Sequence, residues 1–144
     1  MGQKIKLDDK EYDVENLSDQ AKAKLASLQF ATNRINELTN MQALLQRAKN
    51  SYIESLKKEM LSNKAGFLFG DDWNGEYKMP KITIDDIEYN TEDLTDNGKA
   101  QLASLQFLEV QMNKLKSEIA VYQTARNTYV AALKSELEAQ TTSD

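Results

Sequence analysis

The sequence predicts a mainly α-helical fold with small β-hairpins, built from two tandem copies of one hairpin-plus-long-helix unit. Three observations predict it. Residues 4–60 align without gaps to residues 81–137, an offset of 77, and about half the positions are identical. Each copy opens on a short run in which apolar residues alternate around an Asp-Asp pair. Each then continues without proline, with apolar residues at alternating steps of three and four.

The opening runs are Ile5-Lys6-Leu7-Asp8-Asp9-Lys10-Glu11-Tyr12 and Ile82-Thr83-Ile84-Asp85-Asp86-Ile87-Glu88-Tyr89. With Asp8-Asp9 as a two-residue turn, Ile5, Leu7 and Tyr12 share one face, and Ile87 joins the equivalent face of the second copy. Both turn residues then need positive φ, which Asp tolerates better than most residues. A lone hairpin is unstable in water, so this face must lie on something apolar. The following helix is the nearest candidate.

That helix starts at Ser18-Asp19 and Thr95-Asp96, where a capping hydroxyl precedes an acid in the first turn. Leu17 and Leu94 precede the caps as staple residues. The seam of copy one reads Leu28, Ala31, Ile35, Leu38, Gln42, Leu45, Lys49, Tyr52, Leu56. That of copy two reads Leu105, Leu108, Met112, Leu115, Ile119, Tyr122, Arg126, Tyr129, Leu133. A heptad seam of this kind calls for a partner helix. Phe30 and Phe107 lie off it, on the side a hairpin would cover. A rival reading breaks each helix near residues 36–40 and 113–117, where Asn40 and Ser117 align as N-caps. Leu38 and Leu115 would then be wasted in a turn, which favours the unbroken helix.

The domains expected are residues 1–61 as the first unit, 62–80 as a linker, and 81–144 as the second unit. The linker holds three glycines and the only Pro and Trp. Sixty-residue units are marginal alone, so the copies are expected to share a buried surface as an antiparallel pseudo-twofold pair.

Composition excludes several function classes. There is no Cys and no His, which removes thiol chemistry and the commonest general base and metal ligand. Net charge is −5, with lysines and acids interspersed, so no basic face is offered to nucleic acid or an anionic membrane. No run approaches a membrane span. The N-terminus has no apolar leader region, and Lys6 stands where a myristoylation motif needs Ser or Thr. The expected location is the cytoplasm, or a virion.

Candidate sites are few. Asp8-Asp9 and Asp85-Asp86 read as turn residues rather than as catalytic or cation-binding carboxylates, since no third group stands at ligand spacing. The Asp71-Asp72-Trp73-Asn74-Gly75-Glu76 stretch has a calcium-loop look, but Gly70 then falls where the first ligand is required. Ser27 and Ser104 have no base nearby and read as small packing residues. Phe67, Phe69 and Trp73 are either a partner anchor or a cap on the end of the helical core. Lys49 and Arg126, at the same seam position, are either partner contacts or register-setting charges. No catalytic residue, cofactor site or metal site is expected.

The hairpin, the block Ala23-Lys24-Leu25-Ala26-Ser27-Leu28-Gln29-Phe30 with its copy at residues 100–107, and Thr124-Ala125-Arg126-Asn127 with Tyr129, Ala132 and Leu133 resemble a family of short uncharacterised domains of bacteria and tailed phages. The resemblance covers most of the chain outside the linker. Copy two is the closer; copy one has Arg47-Ala48-Lys49-Asn50, and both copies have Asp-Asp where the family has Asp-Gly. It implies an α-dominated fold and a phage context, with no activity and no functional residues. The expected function is a non-catalytic interaction or assembly module, such as a small structural component of a phage particle, acting on a protein partner or on itself. The alternative is a regulatory protein that docks on one cellular enzyme.

A helix over residues 18–61 spans about 66 Å at about 1.5 Å per residue. The 62–80 linker reaches only about 63 Å at roughly 3.3 Å per residue, which favours antiparallel helices. Leu38 then lies near Leu115, so a Leu38→Cys, Leu115→Cys variant should oxidise to a faster-migrating monomer on a non-reducing gel. Crosslinked dimers alone, or no crosslink, would contradict that pairing.

Overall fold

A computed structural model describes residues 2–67, 81–84, 87–90 and 94–142. Strands β1 (Lys4–Leu7) and β2 (Lys10–Asp13) precede helix α1 (Asp19–Phe67); strands β3 (Lys81–Ile84) and β4 (Ile87–Asn90) precede helix α2 (Asp96–Thr141). Both helices are unbroken, so Asn40 and Ser117 cap nothing. α1 extends to Phe67, which makes residues 62–67, the expected start of the linker, helical. α2 likewise runs into the polar tail, where the Thr141 and Thr142 hydroxyls donate to the Glu138 carbonyl. Among the described residues no helix is long and apolar enough to cross a membrane.

The first hairpin is a two-residue connection with Ile5 opposite Tyr12 and Leu7 opposite Lys10. Asp8 and Asp9 have φ of 46° and 65°, the left-handed pair that a twist-matched hairpin turn demands. β3 and β4 repeat the register, Ile82 opposite Tyr89 and Ile84 opposite Ile87. The Asp85-Asp86 turn and the apolar side chains of this second hairpin lie outside the described residues.

The caps form as the sequence requires. Ser18 Oγ accepts from the Ala21 N–H at 3.1 Å, and Thr95 Oγ1 from the Gly98 N–H at 3.1 Å. Leu17 and Leu94, just before the caps, are both buried.

The chain divides into two compact units that cut across the repeats. One comprises Met1–Gln42 with Lys114–Asp144, the other Ala43–Asn113. In the first, Leu17, Ala21 and Leu25 form a core with Leu133 and Leu137. Ile5, Leu7, Tyr12, Val14 and Leu28 pack against that core, so the hairpin face meets its own helix as expected. Lys24 pairs with Glu136 at 3.1 Å, the Phe30 ring meets Tyr122, and Lys134 pairs with Asp8 of the turn. Ascending positions of α1 meet descending positions of α2, so the two segments are antiparallel within this unit. In the second unit Ile53 and Leu56 form a core with Leu94, Leu102 and Leu105, and Lys49 lies 3.9 Å from Glu109. The same opposed order holds there.

One seam expectation is corrected. Tyr52 and Tyr129 are exposed, and the core position near Tyr52 is taken by the next residue, Ile53. Lys49, Ile53 and Leu56 continue the buried line of α1 by steps of four and three, so Ile53 rather than Tyr52 reaches the core.

Leu56 and Leu133, equivalent in the two copies, are both fully buried. Leu56→Ala and Leu133→Ala should each cost about 2–5 kcal/mol, read from urea unfolding midpoints at unchanged slope.

Candidate interaction surface

In the first unit the hairpin packs on Leu25 and Leu28 and leaves Phe30 uncovered, its ring 63% exposed. This corrects the expectation that Phe30 is buried on Ile5, Leu7 or Tyr12. Phe30 lies on a different face of α1 from Leu25, Leu28, Gln29, Thr32 and Asn33, the residues beside β1. An open groove of about 490 Å³ remains between β1 and α1, lined by Ile5, Leu7, Leu28 and Asn33 among others. Phe30 instead takes the edge of Tyr122, with centroids 6.3 Å apart and planes at 65°. Arg34 stands beside that pair and bonds Glu37 at 3.0 Å. Its hydrogen bond to Glu37 first, then that to Tyr122, raise its pKa and hold the guanidinium charged. Val121 is exposed one position before Tyr122.

The second unit repeats this surface. Phe107, again 63% exposed, borders an open depression of about 450 Å³ with Tyr52, Ala103, Ser104 and Leu108. Phe107 is likewise not covered in the way expected of it. Val110 and Leu44 are also exposed. Three pairs of exposed apolar residues therefore recur at the repeat spacing of 77: Phe30 with Phe107, Leu44 with Val121, and Tyr52 with Tyr129.

The sequence-predicted site residues fare unequally. Lys49 is only 6% exposed, its stem buried in the second unit and Glu109 among its partners. Arg126 is exposed. The residue equivalent to Glu109 in copy one is Thr32, whose hydroxyl donates to the Leu28 carbonyl, so the acid that draws Lys49 inward has no counterpart there. Phe69 and Trp73 lie outside the described residues, as does the side chain of Phe67. Leu44, Val110 and Val121 were missed. Their signal was available: each is a large apolar residue that the heptad seam leaves unused.

The remaining polar groups singled out make local contacts. Ser27 and Ser104 donate to the carbonyls of Ala23 and Ala100, four residues back. Among the described residues no three acidic side chains converge as metal ligands. Gly98 replaces Ala21 of copy one, and the Glu59 carboxylate fills the room, so a methyl there would meet it at 3.1–3.2 Å. Among the described residues Glu59 Oε2 and Gln101 Oε1 are buried without a hydrogen-bond partner, at the positions where copy two provides Glu136 and copy one provides Lys24 as an ion pair.

Unfolding measurements should separate these groups. Phe30→Ala and Phe107→Ala are expected to change stability by no more than about 1 kcal/mol, as exposed substitutions do. Lys49→Ala should cost about 1–3 kcal/mol through its lost stem packing.

No protein-family model, curated protein or solved structure matches this chain.

Proposed function

We propose that this protein is a non-catalytic protein–protein interaction or assembly module, which in the phage context suggested by its repeat motifs would be a small structural component of the particle. One observation carries the reading. Exposed apolar residues are ordinary when scattered. Here Phe30 and Phe107, Leu44 and Val121, and Tyr52 and Tyr129 are exposed in pairs at the repeat spacing, on helices whose other outward positions are mostly polar. Exposed aromatic rings are favoured anchors for protein partners. The net charge of −5 argues for a protein partner, or further copies of the chain, over nucleic acid.

The pseudo-twofold relation of the copies belongs to the same proposal. Its support is the matching of core positions within the two units: Leu17, Leu25 and Leu133 in one, Leu94, Leu102 and Leu56 in the other.

Native affinity capture with mass spectrometry, alongside light scattering, tests the function. Many copies per complex would indicate assembly, and a fixed ratio to one target would indicate regulation. In either case a Tyr52→Ser, Phe107→Ser variant should lose the association while remaining folded. A lone monomer with no partner, or stoichiometric zinc, iron or manganese in the purified protein, would overturn the reading.

A further inference from the structure

The outer face of α2 has a pattern of its own. Asp96, Ala100, Ala103, Phe107, Val110 and Lys114 follow one another at steps of four and three, and all six are exposed. They form a second heptad stripe, on the side away from buried Leu102, Leu105 and Leu108. A heptad stripe seeks another helix.

We propose that the occupant is a second copy of this chain, with the two α2 helices crossing antiparallel about a twofold axis beside residue 105. This deepens the assembly reading above and rests on it. In an antiparallel pair, alternate heptad positions face each other, so residue numbers in each layer have a constant sum. Phe107 then faces Ala103 of the second copy, Val110 faces Ala100, and Lys114 faces Asp96. Every layer puts a large side chain on a small one or a cation on an anion. The twofold axis makes each contact twice, as an isologous interface requires. The open depression bordered by Tyr52, Ala103 and Phe107 adjoins the place where the second copy's ring would sit.

Charge also selects this helix over its repeat. The equivalent stripe on α1 is Asp19, Ala23, Ala26, Phe30, Asn33 and Glu37. Paired with itself in the same way, it would put Glu37 on Asp19, two acids, and Asn33 in place of Val110. Glu37 is moreover already bonded to Arg34. Copy two is self-complementary in charge and size, and copy one is not.

Sedimentation equilibrium of the full chain, with circular dichroism to confirm folding, tests the proposal. The interface is small, so association is expected to be weak, and the range should reach roughly 500 μM. Lys114→Asp breaks two pairs at once and should raise the dimer Kd by about ten-fold or more. Asp96→Lys combined with Lys114→Asp should restore it. Val110→Arg should weaken the dimer through its apolar layer, while Glu37→Gln on α1 should leave it unchanged. A wild-type chain that stays monomeric across the range overturns the proposal. So does a dimer indifferent to both Lys114→Asp and Val110→Arg. If, in either case, a heterologous protein is captured in a Phe107-dependent manner, the interaction reading survives without self-association.

Discussion

The architecture depends on a shortage. A hairpin and a helix present one apolar face each, and sixty residues enclose too little of it to hold a fold alone. Both cores are therefore shared between copies: Leu17, Ala21 and Leu25 of copy one close on Leu133 and Leu137 of copy two, and Leu94, Leu102 and Leu105 of copy two close on Ile53 and Leu56 of copy one. The length of each helix follows from this. Its first half serves one core and its second half serves the other. Breaking the helix near Asn40 or Ser117 would remove that second service, which is why two residues suited to capping lie unused inside continuous helices.

Once each core needs both copies, the two copies are free to diverge in complementary ways. One unit keeps Lys24 with Glu136; the equivalent pair in the other is Gln101 with Glu59, and Gly98 in place of Ala21 leaves the room that Glu59 occupies. The second unit has Lys49 with Glu109, where the first has Arg126 and Thr32. Each unit thus carries an inter-helix ion pair at a position the other has abandoned. Partly exposed pairs of this sort contribute little to stability. They do favour one register of α1 against α2 over its neighbours, a distinction that repeated Leu positions make poorly.

Local features were the legible ones. The Asp8-Asp9 turn, the Ser18 and Thr95 caps, the buried Leu17 and Leu94, and most of the seam follow from residue chemistry within a few positions. The rest was not legible because it is decided between elements rather than within them. Tyr52 is displaced by Ile53, which continues the buried line between Lys49 and Leu56, and Tyr129 is likewise exposed. Phe30 is off the face of α1 that its hairpin covers, and Phe107 is equally exposed. Lys49 and Arg126 looked alike because the acid that separates them, Glu109, lies on the other helix sixty positions away. Of the candidate surface, Leu44, Val110 and Val121 were visible only as apolar residues with no assigned role.

That residue class is the most informative part of this sequence. A duplicated unit inherits two of every surface feature, and an exposed ring with no task can be replaced at little cost to stability. The seam residues are held in both copies by burial, which explains their agreement without any function. Burial cannot explain Phe30 and Phe107, which agree while facing outward, and helix propensity does not favour Phe over the Ala or Lys that would otherwise suit such positions. The neighbouring position went the other way: Asn33 in copy one, Val110 in copy two. On the proposed interaction reading, a surface kept in its aromatic centre and varied at its edge would serve two related contacts with different demands, one on a polar surround and one on an apolar stripe.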